Sequence, residues 1–218
     1  VSNSSTVEHS QMNKMTSLAL LFLAPLATQA TEAPTAALSA TCAVCHGAEG
    51  QGNQALGAPR LAGQNAQYLA RQLLNFKAGR RGYAQQDQAG QSMRAITQSL
   101  SEEQLASLAA HYAGLQLAKA PQSDSATAKV GAARYQDTCA ACHGQFAQGY
   151  AHLQAPDLRI LDGWYIDQQL NNYAQGWRGA DEYSDIQGKW MQAIATQINN
   201  EERRAVVDFI ETLGVDPK

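Results

Sequence analysis

The chain is short of charge, of cysteine and of long apolar runs, and each shortage excludes something. Only 16% of its 218 residues are charged, and 16 lysines and arginines face 19 aspartates and glutamates, for a net charge of −3. It has no dense basic patch, which removes the nucleic-acid-binding classes, since those need a basic face or stripe. The apolar stretch Leu18–Leu26 falls short of the ~20 residues that cross a bilayer as a helix. Cysteine is limited to four residues. No strand–helix–strand pattern surrounds any of them, which counts against a thioredoxin-like dithiol.

What is present is a pair of motifs that uses every cysteine. Cys42-Ala43-Val44-Cys45-His46 and Cys139-Ala140-Ala141-Cys142-His143 both read C-x-x-C-H, the attachment site of a c-type haem. Two thiols three positions apart reach the two vinyl groups of one porphyrin and become thioethers. The histidine that follows is then held under the iron as proximal ligand. A single structural zinc site built from both pairs is the rival reading. The usual gap between such pairs is ~15–20 residues, whereas 93 residues separate Cys45 from Cys139. Zinc also gives no reason for a histidine after each second cysteine.

The motifs belong to an internal duplication. At an offset of 97, Pro59, Tyr68, Gln72, Leu73, Asn75, Gly79, Arg81 and Gly82 meet Pro156, Tyr165, Gln169, Leu170, Asn172, Gly176, Arg178 and Gly179. At an offset of 98, Asp87, Gly90, Met93, Ala95 and Ile96 meet Asp185, Gly188, Met191, Ala193 and Ile194. The periodicity is helical throughout. Helices are expected over Thr35 to Cys45, Asn65 to Ala78, Ala128 to Cys142 and Tyr165 to Gln175. Final helices start at the capping boxes Ser101/Gln104 and Asn199/Glu202. Their apolar stripes are Leu105, Leu108, Ala109, Tyr112 and Leu115, then Val206, Phe209, Ile210 and Leu213. Two small domains are therefore expected, at 31–118 and 129–218, with the Ala-, Ser- and Pro-containing stretch 119–128 as linker. Domains of this size have thin cores, and a buried porphyrin in each would supply apolar contact.

Outside the first 30 residues the chain has two methionines, Met93 and Met191, at the same position of the repeat. They are the candidates for the sixth iron position, each expected in a loop opened by Gly90 or Gly188. The usual role of a lone methionine is core filling; the pairing argues for ligation. His111, expected within a helix, and His152, in a loop close to the second motif, are the rival distal ligands. The second copy lacks the first one's glycine-rich loop and carries Trp164, Trp177 and Trp190. Trp190, beside Met191, is expected against the second haem, hydrogen-bonded to one of its propionates, or in the core.

Residues 1–30 read as leader. Lys14 supplies the charged region, Leu18–Leu26 the apolar core, and Thr28-Gln29-Ala30 a small-residue cleavage site, with residues 1–11 upstream of Met12. A periplasmic setting is expected, with membrane association if the leader is retained. Charge is uneven. Residues 31–120 carry seven basic and five acidic side chains (+2), and residues 121–218 carry eight and thirteen (−5). Such a dipole steers encounters with charged partners.

Each half resembles a class I cytochrome c domain, and the tandem arrangement is similar to the bacterial dihaem cytochrome c4 and c553 group. The stretches that carry the resemblance are CAVCH and CAACH, APRLAG and APDLRI, YLARQLLNFKAGRRG and YIDQQLNNYAQGWRG, GQSM and GKWM. The resemblance implies an all-α fold of two tandem domains, each wrapped around one covalently bound haem c. It implies thioether attachment through Cys42, Cys45, Cys139 and Cys142, and iron ligation by His46, Met93, His143 and Met191. It places Pro59 and Pro156 where a backbone carbonyl accepts the proximal histidine's Nδ1 proton. The implied activity is electron carriage between redox proteins, from a quinol-oxidising complex to a terminal oxidase, without chemical transformation. A haem subunit of a periplasmic dehydrogenase is the second reading. A dihaem peroxidase or thiosulfate-oxidising enzyme is the third, and it would require an open iron or a different distal ligand.

Overall fold

The computed structural model describes residues 1–2, 32–116, 126–180 and 184–215. The expected leader at Met12–Ala30 and most of the expected linker are outside the described residues. Nine α-helices follow one another among them. In the first half these are α1 Glu32–His46, α2 Ala66–Lys77, α3 Gln88–Gln98 and α4 Glu102–Gly114. In the second they are α5 Ala128–Thr138, α6 Ala140–His143, α7 Gly163–Ala174, α8 Ile186–Ala195 and α9 Asn200–Glu211. No strand forms among the described residues, so the all-α expectation holds there.

Local chemistry starts the last helix of each half where the sequence indicates. The Ser101 hydroxyl accepts from the backbone N–H of Gln104 at 3.2 Å, and the Gln104 amide oxygen accepts from the Ser101 N–H at 2.8 Å. Asn199 and Glu202 repeat the box on α9. Such a cap stabilises a helix by roughly 1 kcal/mol. The expected helix to Cys142 is split at Cys139. There the turn tightens, with Cys142 N–H donating to Cys139 O at 3.2 Å.

The two methionines are not in loops. Met93 is on α3 and Met191 on α8. The glycines that suggested loops are instead the third residues of helices capped by aspartate. Gly90 N–H donates to Asp87 Oδ1 at 3.0 Å and Gly188 N–H to Asp185 Oδ1 at 2.6 Å. A methyl at Gly90 would lie 2.1 Å from Asp87 Oδ2, so the capping carboxylate would have to shift to admit one.

Two cores form, one per half. Leu69, Leu108, Ala109 and Tyr112 make the first, with Leu38, Cys42 and Leu61 against it. Tyr135, Ile166, Val206 and Ile210 anchor the second, with Cys139, Trp164 and Phe209 against it. Burial of each large apolar side chain contributes about 1.5–3 kcal/mol. The cores exchange one large side chain: Leu38 and Tyr112 of the first correspond to Tyr135 and Ile210 of the second. The aromatic ring comes from the last helix in one half and the first helix in the other.

The halves meet through a near-symmetric polar junction. Arg81 donates to Gln72 Oε1 and Gln169 Oε1, both at 3.0 Å. Arg178 donates to Gln169 Oε1 and Gln72 Oε1, both at 2.7 Å. Each guanidinium also stacks on an aromatic ring at 4.5 Å, Arg81 on Phe76 and Arg178 on Tyr173.

The second half reproduces the first one's glycine-rich loop with two of its four glycines replaced. Ala147 (φ 59°) stands where the first half has Gly50 (φ 68°), and Gln154 (φ 54°) where it has Gly57 (φ 63°). The left-handed region costs a non-glycine residue about 1–2 kcal/mol, and the extra unfolded-state freedom of glycine offsets about 0.4–1 kcal/mol of that. Gln154→Gly is therefore expected to stabilise the protein by roughly 0.5–1 kcal/mol, seen as a raised denaturant midpoint. Gly131 behaves in the opposite sense. A Cβ there would lie 1.8 Å from the carbonyl oxygen of Ala205, where α5 crosses α9. Gly131→Ala gains ~0.8–1 kcal/mol of helix propensity against an overpacking cost of ~1–3 kcal/mol. We expect a lowered midpoint, with a net loss of about 1–2 kcal/mol.

Candidate haem-binding sites

His46 ends α1 and is buried, 6% exposed. Its Nδ1–H donates to the carbonyl oxygen of Pro59 at 2.8 Å. A carbonyl only accepts, so this bond places the ring proton on Nδ1 and leaves Nε2 with its lone pair free. Burial holds the imidazole below its ordinary pKa, outweighing the Pro59 bond. The ring is thus neutral, the form that binds a metal. The loop that brings Pro59 here is tied to the motif itself. Gly52 N–H donates to His46 O at 2.8 Å, and Leu61 N–H to Gly50 O at 2.8 Å.

His143 occupies the same place in the second half and is 7% exposed. Burial pushes its pKa down to about 4, against an opposing pull from the Pro156 carbonyl. That carbonyl is close enough to affect the ring, yet Nδ1 makes no hydrogen bond of good geometry. His143 thus lacks the well-formed carbonyl bond that His46 makes to Pro59. Gly149 N–H donating to His143 O at 2.7 Å repeats the loop-to-motif tie.

All four cysteines are unbridged. Burial pushes the Cys42 thiol up and the Cys139 thiol up to about 11. Cys42 packs on the first core and Cys139 on the second, so the two pairs do not share a zinc ion. One cavity is lined by Cys139, Cys142, His143, Pro156 and Met191 together. Every site residue expected in the second half is thus brought to one space, whose walls include Leu158, Ile166 and Ile210. In the first half, Cys42 and Cys45 are half-buried, and Met93 sits half-buried on α3, which packs on α2.

The rival histidines are placed elsewhere. His111 is within α4 with its ring edge-on to Tyr112. His152 is exposed and packs beside Tyr150. Neither lines the second cavity. Trp190 lines it and stays 53% exposed, so it is not a core residue. Trp164 packs against the second core.

The cavity also reaches residues to which the sequence reading gave no role. Tyr68, Gln72, Arg81, Tyr165, Gln169 and Arg178 line its inner end at the domain junction. Neither Arg81 nor Arg178 is paired with a carboxylate among the described residues. Burial alone would raise the Tyr68 phenol, but Arg178 and Arg81 outweigh it and hold the phenol below its ordinary pKa. Two buried cations without an anion suit a ligand that carries carboxylates, as a porphyrin with propionates does. With the sulfur and imidazole donors, the residues fit a covalently attached haem. The available signal was the Tyr-x-x-x-Gln and Arg-Gly pairs, repeated in both halves on otherwise apolar helix faces.

The Cytochrome c family model matches this chain twice, at residues 30–116 and 128–214. Cytochrome c4 of Pseudomonas aeruginosa is 30% identical over 175 residues, 77% of this chain and 81% of that protein. The thiosulfate dehydrogenase electron acceptor of Stutzerimonas stutzeri is 31% identical, covering 78% of this chain and 77% of its own length. The crystal structure of reduced cytochrome c4 from Pseudomonas stutzeri superposes with a TM-score of 0.68 at 26% identity, covering 84% of this chain and 97% of that one. The duplicated motif, the tandem helical halves and these likenesses agree: the chain belongs to the cytochrome c family, as a dihaem electron carrier of the cytochrome c4 kind with two covalently bound haem c groups, and is not an enzyme.

Proposed function

We propose that this chain is an exported shuttle whose two haems have His/Met ligation, within domains at 31–118 and 129–218 joined by residues 119–128. Cys42 and Cys45 tether one porphyrin, and Cys139 and Cys142 the other. His46 and His143 are the proximal ligands, held by Pro59 and Pro156. Met93 and Met191 are the distal ligands. The observation that carries this reading is the single cavity lined by Cys139, Cys142, His143 and Met191. When bound, each haem iron takes up and gives back one electron. Thioether ligation favours the ferrous state and raises the potential, and the apolar walls exclude water from the iron.

The partners proposed are exported redox proteins, with electrons passing from a quinol-oxidising complex to a terminal oxidase. No helix among the described residues is long and apolar enough to cross a membrane, and we place the carrier in the periplasm. A second reading has a specific support. The similar protein of Stutzerimonas stutzeri is named as an electron acceptor for thiosulfate dehydrogenase, so a periplasmic dehydrogenase is the alternative donor. Reduction of the protein by a thiosulfate dehydrogenase and by a quinol-oxidising complex, compared side by side, separates the two.

Ligation is tested by substitution. Met93→Ala and Met191→Ala should each remove about half of the weak far-red absorption of the Fe–S(Met) bond and lower one of the two potentials. An unchanged spectrum and potential in either variant means that methionine is packing only.

The charge asymmetry of +2 against −5 yields a separate expectation. An acidic partner should dock preferentially on the first half and a basic one on the second. Their stopped-flow reduction rates should fall as salt shortens the Debye length from ~10 Å at 0.1 M. Salt-independent rates with both partners would show that the asymmetry plays no part in docking.

A further inference from the structure

A two-fold junction makes each contact twice, and the Arg81/Gln72 and Arg178/Gln169 network does so. A second group of contacts is made only once, always from the first half onto the second. Arg71 Nη2 donates to the backbone oxygen of Gln154 at 3.0 Å, and its Nε lies 3.5 Å from Asp185 Oδ2. Asn75 Nδ2 donates to the same Asp185 oxygen. The other oxygen of that carboxylate, Oδ1, caps α8 through Gly188. Gln154 stands two residues before Pro156, on the histidine side of the second site, and α8 carries Met191. One arginine of the first half therefore joins the proximal loop of the second site to the cap of its distal helix.

The mirror image is not built. The counterpart of Arg71 is Gln168, which is exposed and makes no hydrogen bond or ion pair among the described residues. Asn172 and Asp87 are the counterparts of Asn75 and Asp185. Asn172 Nδ2 and Asp87 Oδ2 are both buried without a hydrogen-bond partner.

We propose that Arg71, acting with Asn75 through Asp185, is a positioning residue for Met191, so that the first half holds the ligand sphere of the second haem while the second half does not hold that of the first. This rests on the reading of Met191 as distal ligand. It also accounts for a second site that can do without the His143–Pro156 hydrogen bond, because the loop bearing Pro156 is fastened from outside its own half.

The test compares Arg71→Gln, Asp185→Asn and the mirror control Gln168→Ala in the full-length holoprotein. Asparagine still caps a helix well, but its amide nitrogen would face the Arg71 and Asn75 donors, so Asp185→Asn breaks the clamp and spares the cap. Each haem is followed through the shifted methyl signal of its own methionine in the reduced protein, assigned with Met93→Ala and Met191→Ala. Charge alone would lower the second potential on loss of the Arg71 cation and raise it on loss of the Asp185 anion. Weakened methionine ligation lowers it in both. We expect both variants to lower the second haem's reduced-to-oxidised ratio at fixed potential at least threefold. That is about 28 mV at ~59 mV per tenfold change for one electron. The first haem and the Gln168→Ala protein should be unchanged. Loss of the Met191 signal in either variant counts as the same result. Opposite shifts in the two variants, equal shifts at both haems, or no shift overturn the proposal. Fewer than two methionine signals in the unaltered protein overturn the ligand reading, and the clamp with it.

Discussion

The junction between the halves is governed by two buried positive charges. Arg81 and Arg178 are each 6% exposed, and an unpaired buried ion is costly unless its hydrogen-bonding capacity is met. Here most of it is met by two shared glutamine oxygens, by the Tyr165 hydroxyl at 2.7 Å from Arg81 and by the faces of Phe76 and Tyr173, while Arg81 Nε has no hydrogen-bond partner among the described residues. Each glutamine serves both arginines, so neither guanidinium is satisfied by its own half. That mutual dependence fixes the two halves against each other, and the cavity of the second half reaches this junction.

The same constraint reaches outward along the chain. The glycine after each arginine sits under the methionine-bearing helix, where a Cβ at Gly82 would lie 2.1 Å from the Gly90 oxygen and one at Gly179 2.3 Å from the Gly188 oxygen. Arginine placement, glycine contact and aspartate cap thus form one continuous unit in each half, leading from the junction to the methionine. Charge neutralisation is the remaining requirement, and the propionates of a bound haem would supply it.

Duplication preserved this unit while the surroundings diverged. The cores exchanged a tyrosine between first and last helix. The second half accepted Ala147 and Gln154 in left-handed backbone where the first keeps glycine. It also left His143 without the firm carbonyl bond that His46 makes to Pro59. The first half compensates in part. Gln64 exchanges two hydrogen bonds with the backbone of Asp157, at 2.9 and 3.0 Å, and Tyr83 donates to Gly176 O and Ala180 O at 3.0 and 2.8 Å. The two sites are alike in chemistry and unlike in support.

The duplication, the spacing of cysteine and histidine, the capping boxes and the apolar stripes of the last helices are local patterns. They are carried by neighbouring residues, so the chain alone determined the helical class, the two repeats and the covalent haem motifs. In the methionine segments Gly90 and Gly188 look like loop breakers until the aspartate three residues earlier is seen to cap a helix over them. Three things depended on tertiary structure: the meeting of Arg81 with Gln169 and of Arg178 with Gln72, the orphaned Nδ1 of His143, and the one-sided grip of Arg71 on Asp185. The arginine contacts among them join residues roughly 85 to 115 positions apart. No periodicity encodes them, because they arise only when two nearly identical surfaces are pressed together and the few residues that differ must find partners.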